Sequence, residues 1–154
     1  MNKGVKGQSQ ISFGMIFSII LIIFFVAFAI YGIGKFLEVQ RTAQVAKFKS
    51  DLQIDINKMW ESTQGSQPVT YYIPKGIDQV CFKSRQNPRT LKNENMYFTP
   101  DDASQFEGYL LENLNIGNTI KGQTGGKLCI DVKSGKVSMT LRKDYNENQV
   151  TITK

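Results

Sequence analysis

The sequence predicts an α+β protein: a long N-terminal helix, apolar all round in its first half and amphipathic in its second, packed on an antiparallel β-sheet. Three observations carry this. No charged residue occurs between Lys6 and Lys35. From Val45 to Trp60 apolar residues recur at helical spacing. Across residues 127–154 they alternate with polar ones, as on strands buried on one face.

Residues 8–36 form the first element. Within residues 15–31 only Ser18 breaks the apolar run before Tyr31. About 20 apolar residues cross a bilayer core as a helix, and this run with its flanks reaches that length. A helix apolar on every side does not fit one face of a soluble fold. A secretory signal would have a shorter apolar region and a small-x-small cleavage site, whereas this run passes into helix-compatible sequence. The expectation is a single-pass membrane protein with the lipid bilayer as its first partner.

Residues 37–63 continue the same helix, since neither glycine nor proline follows Gly34 until Gly65. On a helical wheel Val45, Phe48, Leu52, Ile56, Met59 and Trp60 share one side. Lys47, Ser50, Asp51, Asn57, Lys58 and Glu61 fall opposite, and Ile54 points away from the stripe. An amphipathic helix of this kind lays its apolar side on a core. Phe48, Leu52 and Ile56 mark the centre of that side.

The remaining residues, 64–154, read as a β-rich head. Ser134-Gly135 is a plausible two-residue turn. Pairing Lys133 with Lys136 sets Val132 opposite Val137, Ile130 opposite Met139 and Leu128 opposite Leu141. A second turn over residues 144–147 pairs Leu141 with Val150 and Met139 with Ile152. All of these fall on one face, as strand alternation requires. The expectation is a three-stranded sheet whose apolar face, centred on Ile130, Met139 and Ile152, covers the helix stripe.

Upstream, residues 69–73 and 79–82 read as two short strands joined across residues 74–76, and residues 96–99 as a third. Ser66-Gln67-Pro68 and Gln86-Asn87-Pro88 read as loops, as do residues 122–126. Asp101 or Asp102 is a candidate cap for a short helix reaching about Asn113.

By the same alternation, Cys81 and Cys129 lie off the apolar strand faces, opposite Val80 and Phe82 in one case and Leu128 and Ile130 in the other. Cysteine strongly prefers burial. A disulfide between adjacent strands or a loop accounts for both positions and suits an exterior domain. Two unrelated, partly buried thiols are the alternative.

Composition narrows the chemistry. The chain of 154 residues carries a formal +6 and has no histidine, which removes the commonest neutral-pH acid/base group and metal ligand. Its two cysteines form no CxxC pair, so no metal site is expected. No carboxylate pair stands out, no phosphate-binding glycine motif occurs, and neither enzymatic activity nor a cofactor is expected. From Arg41 onward 16 basic residues stand against 12 acids, scattered rather than gathered in a stripe, so no nucleic-acid partner is expected.

The N-terminus reads Met-Asn-Lys-Gly-Val-Lys6-Gly7-Gln8-Ser9-Gln10-Ile11-Ser12-Phe13. A short basic leader, the Lys6-Gly7-Gln8 triplet and an immediate hydrophobic helix resemble the class III signal peptides of archaeal type IV pilin-like proteins. The resemblance implies that residues 1–7 are a leader, that a membrane leader peptidase cuts between Gly7 and Gln8, and that the helix stays on the mature chain. It further implies a structural subunit in the cell membrane, its C-terminal domain on the extracellular side, with copies of itself or other pilin-like subunits as partners. Many members place a glutamate at the fifth mature position, thought to pair with a neighbouring subunit's terminal amine. Ser12 stands there in this chain and supplies no such charge. That departure favours an alternative: an exterior binding or assembly-factor domain that never polymerises. A plain uncut anchor with a polar tail is the reading without the resemblance. Orientation is also contested by charge. Lys35, Arg41, Lys47 and Lys49 follow the span and only Lys3 and Lys6 precede it, a count that points the head inward. The leader and the cysteines point it outward.

Mass spectrometry of the protein from its native host should find a mature chain beginning at Gln8. An N-terminus at Met1 would remove the resemblance's main support.

Overall fold

The computed structural model describes residues 13–87, 92–100 and 106–154. Gly7, Gln8 and Ser12 lie outside them, as do Asp101 and Asp102. The elements run α1 (Phe13–Glu61), β1 (Gly65–Tyr72), β2 (Gln79–Gln86), β3 (Asn93–Thr99), α2 (Ile116–Ile120), β4 (Leu128–Asp131), β5 (Lys136–Lys143) and β6 (Thr151–Thr153). The class is α+β, with a long helix and two antiparallel sheets. The chain divides after Val39 into two compact units, the second being Gln40–Lys154.

Within the second unit, α1 buries Val45, Phe48, Leu52, Ile56 and Met59. These are the stripe expected from the spacing, and Ile54 on the other side is 47% exposed. Trp60 departs from the expectation. It is 43% exposed, because its indole N–H turns to Asn148 O at 2.9 Å near the helix end. A ring with a polar handle gains more at this rim than in an apolar core without an acceptor. Lys143 closes the helix by donating to Trp60 O in the last turn and to Ser62 O just beyond it.

The strands form two sheets of three, ordered β1-β5-β6 and β3-β2-β4. The expected three-stranded C-terminal sheet is therefore corrected. Lys133 and Lys136 do pair, around a turn with Ser134 at φ 51° and Gly135 at φ 71°. The strands then separate: β4 pairs with β2, setting Ile130 opposite Val80 and Leu128 opposite Phe82. β1 takes the place expected for β4, with Val69 opposite Met139 and Tyr71 opposite Val137. Residues 69–73 and 79–82 thus enter different sheets. Along β5 and β6 the register sets Leu141 opposite Ile152 rather than Val150, a slip of two residues that keeps every side chain on its expected face.

Residues 66–68 belong to β1 rather than to a loop. The N–H of Ile73 donates to Gly135 O at 2.9 Å, continuing the β1–β5 register by one pair. Odd-numbered residues of β1 therefore bond to β5, and even-numbered ones point away from it. Pro68, even-numbered on an edge strand, costs the ladder no donor. Thr70 and Ser138, a pair without backbone bonds, meet through their hydroxyls at 2.9 Å. The short helix also falls elsewhere than expected. Residues 106–113 are not helical, whereas Asn115 caps α2 by accepting from the Asn118 N–H. An Asn at that position supplies the side-chain oxygen a helix start needs. α2 lies against β2 and β6.

Both sheets share one core. Phe48, Leu52 and Ile56 from α1, Met139 and Ile152 from the first sheet, and Ile130 from the second all belong to a single buried cluster. Phe48 meets Tyr71 of β1 with ring centroids 5.4 Å apart and Phe98 of β3 at 6.0 Å. Each such side chain contributes about 1.5–3 kcal/mol on burial. Tyr71 also donates its hydroxyl to Asp55 Oδ2 at 2.7 Å, tying β1 to the helix. Burial, and then that carboxylate, hold its phenol well above its ordinary pKa.

In a fragment beginning at Gln40, Leu52→Ala should lower unfolding stability by about 2–5 kcal/mol. Ile54→Ala should cost far less in the same denaturant titration. A reversed order would mean the helix face is wrongly assigned.

Candidate anchoring and assembly surfaces

The first surface is the apolar part of α1. An 18-residue window of it reaches a mean hydropathy of 3.0 with none of its residues buried. One helix is thus long and apolar enough to cross a membrane. Its side chains stand open, Phe13 at 85% and Phe24 at 65% exposure. The helix satisfies its own backbone groups, which an apolar medium demands. The Ser18 hydroxyl donates to Gly14 O at 2.8 Å, so it finds its acceptor on its own helix. Charge returns only with Lys35, paired to Glu38 at 3.0 Å.

The second surface is the head. Cys81 and Cys129 face each other directly in the β2–β4 register, their Cα atoms 4.1 Å apart, and are joined. Val132 N–H donates to Asp78 O, which makes even-numbered residues of β2 the bonded ones. The cysteines occupy the alternate, non-bonded pair, where facing side chains come closest. The bond lies on the face of the second sheet turned away from the helix, and Cys81 is nonetheless fully buried. Strand alternation alone placed it off the core; it did not show that this face is covered as well.

Sequence reasoning missed the arrangement that holds residues 106–114 beside the helix. Lys49 Nζ donates to Glu107 O at 2.6 Å and lies 5.7 Å from the centres of the Phe98 and Tyr109 rings. Burial pulls its pKa below the ordinary lysine value, with Glu107 and Glu94 acting in the opposite sense. Gln53 donates to Glu112 O and accepts from Glu112 N–H at 2.9 Å. Asn113 reaches Asn57 at 3.1 Å. Buried Asn95 treats Leu111 as a strand partner would, accepting its N–H at 2.7 Å and donating to its carbonyl at 2.8 Å.

Glu94 anchors the same region. Only 3% exposed, its carboxylate accepts from Arg85 Nε and from Asn87 Nδ2. The Arg85 guanidinium in turn lies 3.7 Å from the centre of the Tyr97 ring. A buried charge is tolerable only with such partners. Gly108 makes room for it: a Cβ there would run into the Glu94 carboxylate. The Asn and Glu residues of a polar strand such as Asn93-Glu94-Asn95 were a signal of this kind, since polar side chains on a strand between apolar runs need partners when buried.

Among the described residues no cluster of His, Cys, Asp or Glu is arranged to hold a metal ion. Compared with known protein families, curated proteins and solved structures, the chain matches none.

Gly108→Ala should destabilise the head by about 1–3 kcal/mol, as overpacking generally does. In a Glu94→Ala background the same change should cost far less, a coupling that a double-mutant cycle in denaturant would measure. Equal costs in both backgrounds would disconnect Gly108 from the carboxylate.

Proposed function

We propose that this chain is a membrane-anchored, pilin-like structural subunit, its head on the extracellular side, that assembles into or associates with a cell-surface filament. One observation carries the reading. A single helix is apolar with none of its residues buried in one stretch, and farther along presents an apolar stripe buried in the core shared with antiparallel strands. The exposed stretch calls for lipid or for the equivalent helices of other subunits. The Lys6-Gly7-Gln8 leader resemblance supports cleavage by a leader peptidase, and the cross-strand disulfide suits an oxidising compartment. On this reading the chain works by anchoring and packing, not by catalysis, and takes no cofactor.

Ser12 favours a second reading, in which the anchored head stays monomeric and binds or assists other components. In the native host, mechanical shearing of intact cells should release the protein in a fast-sedimenting fraction, and added protease should reach the head without lysis. Recovery only as a membrane-bound monomer would favour the second reading. Protection of the head until lysis would overturn the orientation in both.

A further inference from the structure

Residues 121–127, Lys-Gly-Gln-Thr-Gly-Gly-Lys, join α2 to β4, and all seven are exposed. Gly122, Gly125 and Gly126 take positive φ, and a Cβ added to any of them would meet nothing within 4 Å. The backbone bonds of the loop are local, Gln123 N–H to Ile120 O at 3.0 Å and Gly126 N–H to Gln123 O at 3.3 Å. Its two ends are fixed. Thr119 is buried and accepts from the Ile152 N–H at 3.1 Å, and Leu128 is buried opposite Phe82. The loop thus stands off the head between two anchored points, with a lysine at each end.

Other exposed lysines sit in turns of a different kind. Lys75 lies between buried Pro74 and buried Ile77, and the N–H of nearby Ile73 is bonded to Gly135 O. Lys133 and Lys136 exchange backbone bonds of 2.8 and 3.0 Å around their turn. An endoprotease has to draw several residues of backbone into its cleft, and exposed loops of small and polar residues yield them most readily. Cutting at Lys75 or Lys133 would require buried side chains or paired backbone to come free, whereas Lys121 and Lys127 border a stretch whose bonds are only local.

The topology fixes what such a cut would do. Either bond, Lys121–Gly122 or Lys127–Leu128, divides the chain into a piece carrying α1, β1, β2, β3 and α2 and a piece carrying β4, β5 and β6. The ladders that join the pieces are unaffected, since β4 pairs with β2 and β5 with β1. Leu128, Ile130, Met139 and Ile152 still enter the core shared with Leu52 and Ile56. Cys81 lies in the first piece and Cys129 in the second, so their disulfide joins the two covalently.

We propose that residues 121–127 are the proteolytic cleavage site of the head, open to an endoprotease that accepts lysine, and that Cys81–Cys129 keeps the cut head one molecule. Hydrolysis adds one water across the peptide bond, leaving a carboxylate on the lysine and an amine on the next residue. The S–S bond is untouched. The inference goes beyond the proposed function and holds for either reading of it.

The test uses the full chain in nanodiscs of neutral lipid, its disulfide intact, with limiting trypsin as the probe. The first cut within the unit Gln40–Lys154 should fall after Lys121 or Lys127 by mass spectrometry, and the two pieces should run as one band until dithiothreitol separates them. K121Q/K127Q should slow that first cut by about tenfold or more, because the remaining sites must first open paired or buried structure. K75Q/K133Q should stay within about twofold of the parent, since those turns are not the ones that open. The cut, oxidised head should keep one cooperative unfolding transition in urea, with a midpoint independent of protein concentration. With dithiothreitol the midpoint of the cut head should fall and become concentration-dependent, since two molecules must then find each other, while that of the uncut head should not. A first cut elsewhere in the head, equal slowing in both double variants, or loss of the transition on cutting would overturn the site. A midpoint of the cut, reduced head that ignores concentration would overturn the tether.

Discussion

Phe48 touches Tyr71 of one sheet and Phe98 of the other, and the fold of the head depends on that double contact. Each of the two three-stranded sheets has an apolar face that must be buried against another element. They could have packed against each other as a sandwich. Instead both turn their even or odd apolar rows toward the stripe from Val45 to Met59, so that a helix supplies the wall each sheet lacks. Every other feature of the head adjusts to this. Lys143 seals the stripe's end, Tyr71 and Asp55 pin its flank, and the side chains of Lys49, Gln53 and Asn57 hold the segment that closes its other side.

Much of this was legible in the sequence, and the misses have a common cause. Helical spacing over fifteen residues overdetermines a face, so Val45 to Met59 and the outward Ile54 could be assigned from sequence alone. Strand alternation has period two and specifies parity, not partner. It therefore named the buried residues of β4, β5 and β6 while leaving open which strand lies opposite, and proximity in sequence suggested the wrong one for β4. The two-residue slip between β5 and β6 is the same ambiguity, since it leaves every face intact. Pro68 looked like a loop because the rule against proline in strands is a rule about inward-facing N–H groups, and edge position is a tertiary fact. The partners of Glu94 and Asn95 lie beyond the reach of any local pattern.

The two stretches of α1 differ in composition, the first without a charged residue between Lys6 and Lys35 and the second with a charged face, and also in what the chain provides for them. From Val45 to Met59 the stripe is buried in the cluster it shares with the strands, whereas none of the residues in the apolar window is buried. Hydrophobicity alone does not separate these cases; Phe48 and Phe24 are the same side chain in opposite circumstances, 2% and 65% exposed. What separates them is periodicity. Apolar residues on every side leave no polar face for water, whereas the later stripe keeps one.

Pro68 has a consequence for crowding. Tethering to a surface raises local concentration, and a long open strand edge at high concentration invites edge-to-edge association, the first step toward cross-β fibres. β1 is such an edge, eight residues long. A strand arriving beside it would find donors at Ser66, Thr70 and Tyr72 but a gap at the centre, where the proline ring also projects into its path. The head can therefore be held densely among its own kind while its longest open edge resists the zippering that would turn neighbours into an aggregate.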